Sequence, residues 1–294
     1  MSLKLAYNSL NTEQLEILKN KTISGKFKPK VLVKLLRELV AYDRANDITR
    51  DKSNRATGWT GFLAFFGVIV AAIVAFGAKN LVIGGAIALA AVFSGLMCAF
   101  YSRKLAASTD TDLANEMRRV LFPFALTMQE EAKLGTKLSI ELDANDPTNE
   151  DYFVTETPKS GRYGRTTRTY RQQWLNAGVT LVDDTRLVIE CEKTVYDIKI
   201  VKRSASGKTK HKSKTKSRDD VVIKALIPKS QYKLVVRDTA PDISVEERQD
   251  VFAVTGKYKF KTASVRTLQV QTVFDLVHRM YSFVTPISEG ANYG

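Results

Sequence analysis

The stretch Ser206–Arg218 reads SGKTKHKSKTKSR, and its Gly207-Lys208-Thr209 matches the end of a phosphate-binding loop. Such a loop wraps phosphates in backbone amides and needs a second glycine five residues earlier, where Lys202 stands. An apolar helix should follow, and alternating lysines follow instead. The nucleotide reading fails on both counts. What remains is a ladder: Lys208, Lys210, Lys212, Lys214 and Lys216 occupy every second position. On an extended chain they share one face, and Thr209, His211, Ser213, Thr215 and Ser217 share the other. With Lys202, Arg203 and Arg218 the segment holds eight basic residues and no acid. That array suits an anionic partner; the plain alternative is a solvated, edge-protecting strand.

A second basic set is Arg162, Arg165, Arg168 and Arg171, spaced by three, with Tyr163, Tyr170 and Trp174 interleaved. Arginine beside aromatics is how single-stranded RNA is often gripped, and an adaptable surface loop has the same composition. Asp143-Ala144-Asn145-Asp146 opens like a calcium loop, but Thr148 and Val154 stand where glycine and glutamate are needed. It reads as a turn before Pro147. His211 and His278 belong to no ligand or triad pattern, and His278 is expected to be partly buried on a terminal helix. HExxH, CxxC, GxSxG and GxGxxG are all missing. Glu190, Glu192 and Asp197 read as strand-surface carboxylates. No catalytic residue, metal site or cofactor is assigned.

Two charge-free runs position everything else. Gly58–Ala78 is GWTGFLAFFGVIVAAIVAFGA, and Leu81–Tyr101 is LVIGGAIALAAVFSGLMCAFY. Each is about the 20 residues that cross a bilayer core as a helix. As one helix they would be about 65 Å long and would leave Lys79 at mid-bilayer. Two antiparallel spans, turning through Gly77-Ala78-Lys79-Asn80, avoid both problems. Arg44, Arg50, Lys52 and Arg55 precede the pair and Arg103 and Lys104 follow it, so the positive-inside bias places both termini in the cytoplasm. Trp59 and Tyr101 then sit at one interface. Small residues recur at Gly67, Ala71 and Ala75, and at Gly84, Ala88, Ala91 and Gly95. Such stripes let helices approach closely, either within the hairpin or in a homo-oligomer. Neither span carries an ionisable residue, which disfavours an ion-coupled transporter.

Ahead of the spans, Asn11-Thr-Glu-Gln14 resembles a capping box, and VLVKLLRELVAYDRA from Val31 has a helical period with Pro29 at its start. Ser102–Gly135 reads as a helix, interrupted near Pro123 or restarted by Asp112. From Lys137 the period changes to two, in KLSIELDA, GVTLVDDTRLVIECEK, TVYDIKIVKR, DDVVIKALIP, QYKLVVRD and VFAVTGKYKFKT. Asp183-Asp184-Thr185 falls at a hairpin turn. Asp143–Arg171, rich in Pro, Gly and polar residues, reads as a long loop. A helix from about Arg266 should pack on the sheet and end by Pro286.

The 294 residues carry a formal charge of +14. Two distant cysteines, Cys98 and Cys191, fit a chain without disulfides, and the first thirty residues lack a secretory-signal pattern. The expected fold class is an α+β membrane protein: a two-span transmembrane helical hairpin with a small N-terminal helical region and a β-rich C-terminal cytoplasmic domain. Its parts are an N-terminal helical region at 1–57, the hairpin at 58–101 (spans 58–78 and 81–101), a connecting helix at 102–136 and the β-rich domain with its terminal helix at 137–294. The expected role is a non-enzymatic adaptor or sensor in the plasma (inner) membrane. Its partners are membrane lipids with anionic headgroups first and nucleic acid second, with a homo-oligomer also open. A membrane enzyme with an unfamiliar site and a pore-forming oligomer are the competing classes.

Overall fold

The computed structural model describes residues 3–77, 81–158, 164–204, 206–235, 240–262 and 268–287. The expected turn residues Ala78, Lys79 and Asn80 lie outside them, as do Arg162 and Tyr163. The protein is α+β, with a long helical N-terminal part and a β-rich C-terminal sheet. It divides into two compact units, Met1–Lys19 with Glu38–Leu113, and Asn20–Arg37 with Ala114–Gly294. The expected partition followed sequence order, whereas these units cut across it. The reason is a strand the sequence hid: β1 (Thr22–Phe27) pairs antiparallel with β2 (Leu138–Asp143), from Thr22↔Asp143 to Phe27↔Leu138.

The first unit is helical. Helices α1 (Leu3–Asn8) and α2 (Thr12–Asn20) lead in. The capping box at α2 is real: Gln14 N–H donates to Asn11 Oδ1 at 2.8 Å and Asn11 N–H to Gln14 Oε1 at 2.9 Å. Helix α3 then runs from Pro29 to Ala72 without a break at the charged stretch before Gly58, and widens into one π turn at Ile73–Gly77. Helix α4 is Leu81–Asp110. Both helices are long and apolar enough to cross a membrane. Little of their apolar surface is covered by this chain: Phe65 is 64% exposed, Phe76 81% and Val82 84%. A contiguous apolar surface of this kind marks contact with lipid or protein.

Backbone proximity explains the small residues. A Cβ on Gly67 would lie 2.9 Å from the Ala91 Cβ, and one on Gly84 2.7 Å from the Ala75 Cβ. Ala71 and Ala91 are buried in the same seam. Ala88 is exposed and a Cβ on Gly95 meets nothing within 4 Å, so these two stand apart from it. Below the apolar stretch, polar bonds tie α3 to the end of α4. Tyr42 Oη donates to Thr111 Oγ1 at 2.9 Å, Asn46 Nδ2 to the Ser108 carbonyl at 2.8 Å, and Arg50 bridges Asp47 and Asp112.

Of the two interruptions expected in the connecting segment, the structure carries the restart near Asp112. Helix α4 ends at Asp110, and helix resumes at Asn115 with a π turn at Met117–Leu121 that feeds α5 (Phe122–Glu131). Pro123 has no N–H to donate and its ring crowds the preceding turn. The widened turn just before it accommodates this where a break was expected.

The second unit is a sheet in the order β1-β2-β4-β5-β6-β9-β8, with β3 (Phe153–Thr157) beside β4. Its long members are β4 (Gly164–Thr180), β5 (Arg186–Arg203) and β6 (Thr209–Pro228). Strands β8 (Ile243–Glu247) and β9 (Val251–Thr262) complete it, and β7 (Tyr232–Leu234) pairs with β10 (Val284–Pro286). Within the expected loop over 143–171, Phe153–Thr157 is strand β3 and 164–171 belongs to β4, while 144–152 carries no strand. Its Pro, Gly and polar residues point to a loop, but pairing with β3 and β5 fixes 164–171 as sheet. Leu175, Ala177, Leu187, Ile189, Cys191, Val221, Ile223 and Ala225 share one buried face. Helix α6 (Val270–Tyr281) covers that face with Val273, Leu276 and Met280. The helix comes close enough that a Cβ on Gly256 of β9 would lie 2.9 Å from the Met280 Sδ. Both cysteines are free, and burial pushes the Cys191 thiol well above its ordinary range.

Leucine at Gly67 or Gly84 should wedge the seam open, whereas Ala88→Leu points away from it. Thermal unfolding of the full chain in neutral detergent is expected to lose several degrees in the first two variants and to hold in the third. A second expectation concerns Asp143. Burial pushes its carboxyl up, but bonds from Tyr152, Asn145 and Gln172 outweigh that and hold it below its ordinary value. A carboxyl lowered in the folded state contributes stability above its unfolded pKa of about 3.9 and loses it as pH falls through the folded value. Asp143→Asn should therefore flatten part of the stability loss below about pH 4 in acid titrations followed by circular dichroism.

Candidate functional site: the basic β-arm

Strands β5 and β6 stay in register from Arg186↔Leu226 to Arg203↔Thr209. Strand β9 covers β6 only from Ser217 onward, so Thr209–Lys216 pairs with β5 alone among the described residues. The tip closes at Ser204–Lys208. Gly207 lies there at φ +79°, a left-handed conformation that glycine adopts without strain. Ser204 N–H donates to the Lys208 carbonyl at 2.8 Å. The glycine of the apparent nucleotide motif is thus a hairpin turn, followed by strand.

Register assigns the strand residues to faces, because directly paired residues project to the same side. Arg203, opposite Thr209, falls on the face away from the lysines, and Lys208 lies in the turn outside the register. Lys210, Lys212, Lys214 and Lys216 lie opposite Lys202, Ile200, Ile198 and Tyr196 on β5. Those in turn lie opposite Arg165, Thr167 and Thr169 on β4, where Ile200 meets Arg165. The result is a three-row surface with lysines on the outer row, an apolar middle row, and Arg165 with threonines on the inner row. Four lysines at every second residue span about 20 Å. All of Thr209–Lys216 is exposed, while Ile198 is buried beneath the rows at 3% exposure. Lysine stems flank it, with their ammonium groups left free to reach solvent.

No carboxylate occupies these register positions. Among the described residues Lys202, Arg203, Lys208, Lys210, Lys212, Lys214, Lys216 and Arg165 take no part in an ion pair. Toward the base of the arm the same face turns neutral. Arg218 is held by Asp220 at 2.7 Å, Arg171 by Glu192 at 3.3 Å and Lys224 by Glu190 at 2.8 Å. Arg218 was expected to join the ladder; its charge is already partnered.

The second basic set separates in the same way. A spacing of three on a strand sends successive residues to opposite faces. Arg165 therefore joins the lysine face, while Arg168 projects from the other. There Arg168 meets Glu150 at 2.9 Å and Glu156 at 3.0 Å and stacks over the Phe153 ring at 5.0 Å. Those hydrogen bonds and charges push the Arg168 guanidinium pKa up. Arg162 lies outside the described residues. Sequence reasoning missed Arg165, Ile198 and Ile200 as parts of the lysine face. Pairing the alternations of TVYDIKIVKR and the ladder would have found the isoleucines.

Other titratable groups sit in structural roles. Lys193 lies at the base between Glu116 and the buried Asp219, 3.9 Å away. Asp183 accepts from Tyr232 at 2.7 Å and Tyr281 at 2.9 Å, beside a cleft of about 470 Å³ lined also by Phe124 and Phe274. Burial and that carboxylate push the Tyr232 hydroxyl up to about 12. His211 and His278 are both exposed, which corrects the expected partial burial of His278; its position on α6 turns away from the Val273, Leu276 and Met280 face. Among the described residues no group of His, Cys, Asp or Glu could hold a metal ion.

Comparison with protein-family models, with curated proteins and with solved structures finds no match to this chain.

An edge strand paired on one side leaves alternate amides without a partner. Hydrogen exchange should therefore alternate fast and slow along Thr209–Lys216 and turn uniformly slow from Ser217, where β9 joins. Uniformly fast exchange through both halves would mean the arm is not formed.

Proposed function

We propose that this protein is a membrane-anchored, non-enzymatic adaptor or sensor whose β-arm engages an anionic surface, the headgroups of the membrane that holds it. In this reading α3 and α4 form a transmembrane hairpin in a plasma (inner) membrane, with both termini cytoplasmic. The observation that carries the functional part is the one-sided charge of the arm: six cations on one face, four lysines with Lys202 and Arg165, and no acid among them. A basic residue close to an anionic leaflet gains about 1 kcal/mol, so a face of this size supplies several. Each such contact is too weak to recruit a free protein. A tethered domain has already met the entropic cost of approach, so the contacts act at high effective concentration.

Nucleic acid is the runner-up, because any lysine array can contact phosphates. Its middle row offers Ile198 and Ile200 where base stacking would call for several aromatic rings; only Tyr196 is one. A pore would need a small-residue face to spare; Gly67, Ala71, Ala75, Gly84 and Ala91 are used between α3 and α4, which leaves only Ala88 and Gly95 of the two stripes. An enzyme would call for reactive groups converging in a cleft. Of the two carboxylates lining the cleft in the sheet unit, Glu131 and Asp183, Asp183 is occupied by two tyrosine hydroxyls.

Amine-reactive footprinting of the full chain in nanodiscs tests the proposal. Lysines 210–216 should be modified at least threefold more slowly in phosphatidylglycerol than in phosphatidylcholine. The protection should fade at high salt, because the attraction is screened over a Debye length of about 8–10 Å at moderate ionic strength. Equal labelling in both lipids would refute the lipid reading. Protection by an added oligonucleotide in phosphatidylcholine discs would favour the runner-up.

A further inference from the structure

The helical unit contains a cleft of about 890 Å³ between α1, α3 and α4. Its walls carry Lys4, Lys52 and Lys104 together with Tyr7, Tyr42 and Tyr101, and none of its lining residues is acidic. Among the described residues none of the three lysines takes part in an ion pair. The nearby acids Asp47 and Asp112 are engaged by Arg50. The rest of the lining is small or apolar, with Leu3, Ala45, Ile48, Ala56 and Ala107 among it.

Position narrows the choice of ligand. The lining follows α3 from Tyr42 to Ala56, just before the charge-free run that begins at Gly58, and runs from Thr111, just past the end of α4, back along α4 to Tyr101, where its own run ends. The cleft therefore combines a cationic rim, an apolar wall and direct continuity with two lipid-length helices. Its volume lies within the range of ligand sites, larger than an inorganic anion needs. Basic pockets between helices at a membrane's inner edge suit the phosphate of a lipid headgroup, with the glycerol and first methylenes against the apolar wall.

We infer that this cleft binds one anionic phospholipid, with Lys52 and Lys104 holding its phosphate and Lys4 closing over it from α1. The inference rests on α3 and α4 being membrane spans. It is independent of the lysine arm, which is in the other unit.

The test uses full-length chain extracted in neutral maltoside detergent, with bound lipid counted by native mass spectrometry. One phosphatidylglycerol per chain should be retained, and phosphatidylcholine of the same acyl chains should be retained at least tenfold less. K52Q/K104Q should lose phosphatidylglycerol at least tenfold, and K52R/K104R should keep it. Circular dichroism confirms that each variant is folded. Equal retention of the two lipids, or full retention by K52Q/K104Q, would overturn the site. Displacement of phosphatidylglycerol by millimolar inorganic phosphate would overturn it too, in favour of a soluble small anion. Release of the chain from membranes by carbonate would remove the membrane reading and this inference together. Failure of the mass-spectrometric arm alone would remove only the cleft.

Discussion

The uninterrupted antiparallel register between β5 and β6 is the constraint on which the sheet unit depends. Its lower half places Leu187, Ile189 and Cys191 beside Ala225, Ile223 and Val221 in the core. Its upper half, with no bulge between them, places Lys210, Lys212, Lys214 and Lys216 on the opposite side. Core and charged face are thus two consequences of one alternation. A one-residue slip would turn the lysines to the core side and the core residues to solvent. Burial at the base therefore fixes the direction in which the tip presents its charge, although the tip itself buries little.

Much of this was legible in the sequence, and the failures share a physical cause. Short-range signals read well: the two charge-free helices, the Asn11 capping box, the Asp183 turn and the period-two runs from Lys137. Long-range pairing did not. TISGKF of β1 is short and contains a glycine, and only its partner more than a hundred residues away makes it a strand. The 164–171 stretch is polar enough to read as loop, but strands on both sides hold it. The arginine set failed through its period: a spacing of three gathers side chains on a helix and scatters them on a strand. Pro123 did not break the chain into two helices, because a π turn is cheaper there than abandoning the packing of Val120, Leu121 and Phe124.

Pairing decides which basic residues remain available. Near the base of the sheet, Arg171, Arg218 and Lys224 each find a carboxylate on their own face, and Lys193 finds two in a buried setting. Removing a partner from such a buried group leaves a charge uncompensated, so those contacts belong to the fold. Six cations at the tip have no such contact and contribute nothing comparable to folding; mutual repulsion makes them a cost. Lys202 directly opposite Lys210 is the clearest case. Like charges facing each other across a ladder are destabilising, and an anion on that face relieves the cost. Six of the 45 basic residues thus carry charge that folding does not use.

The two acid-free places differ in what lies beside their charges. On the arm the ammonium groups are fully exposed, so salt weakens whatever they attract and the contact is reversible. In the helical cleft Lys4, Lys52 and Lys104 are exposed too, so salt weakens their attraction likewise, but they border an apolar wall. A ligand there also buries hydrocarbon, a contribution that salt does not diminish. On the proposed reading, the cleft holds a lipid that stays and the arm samples a surface that it releases as local charge changes. Such a division fits a protein that is anchored by one part and responsive through another.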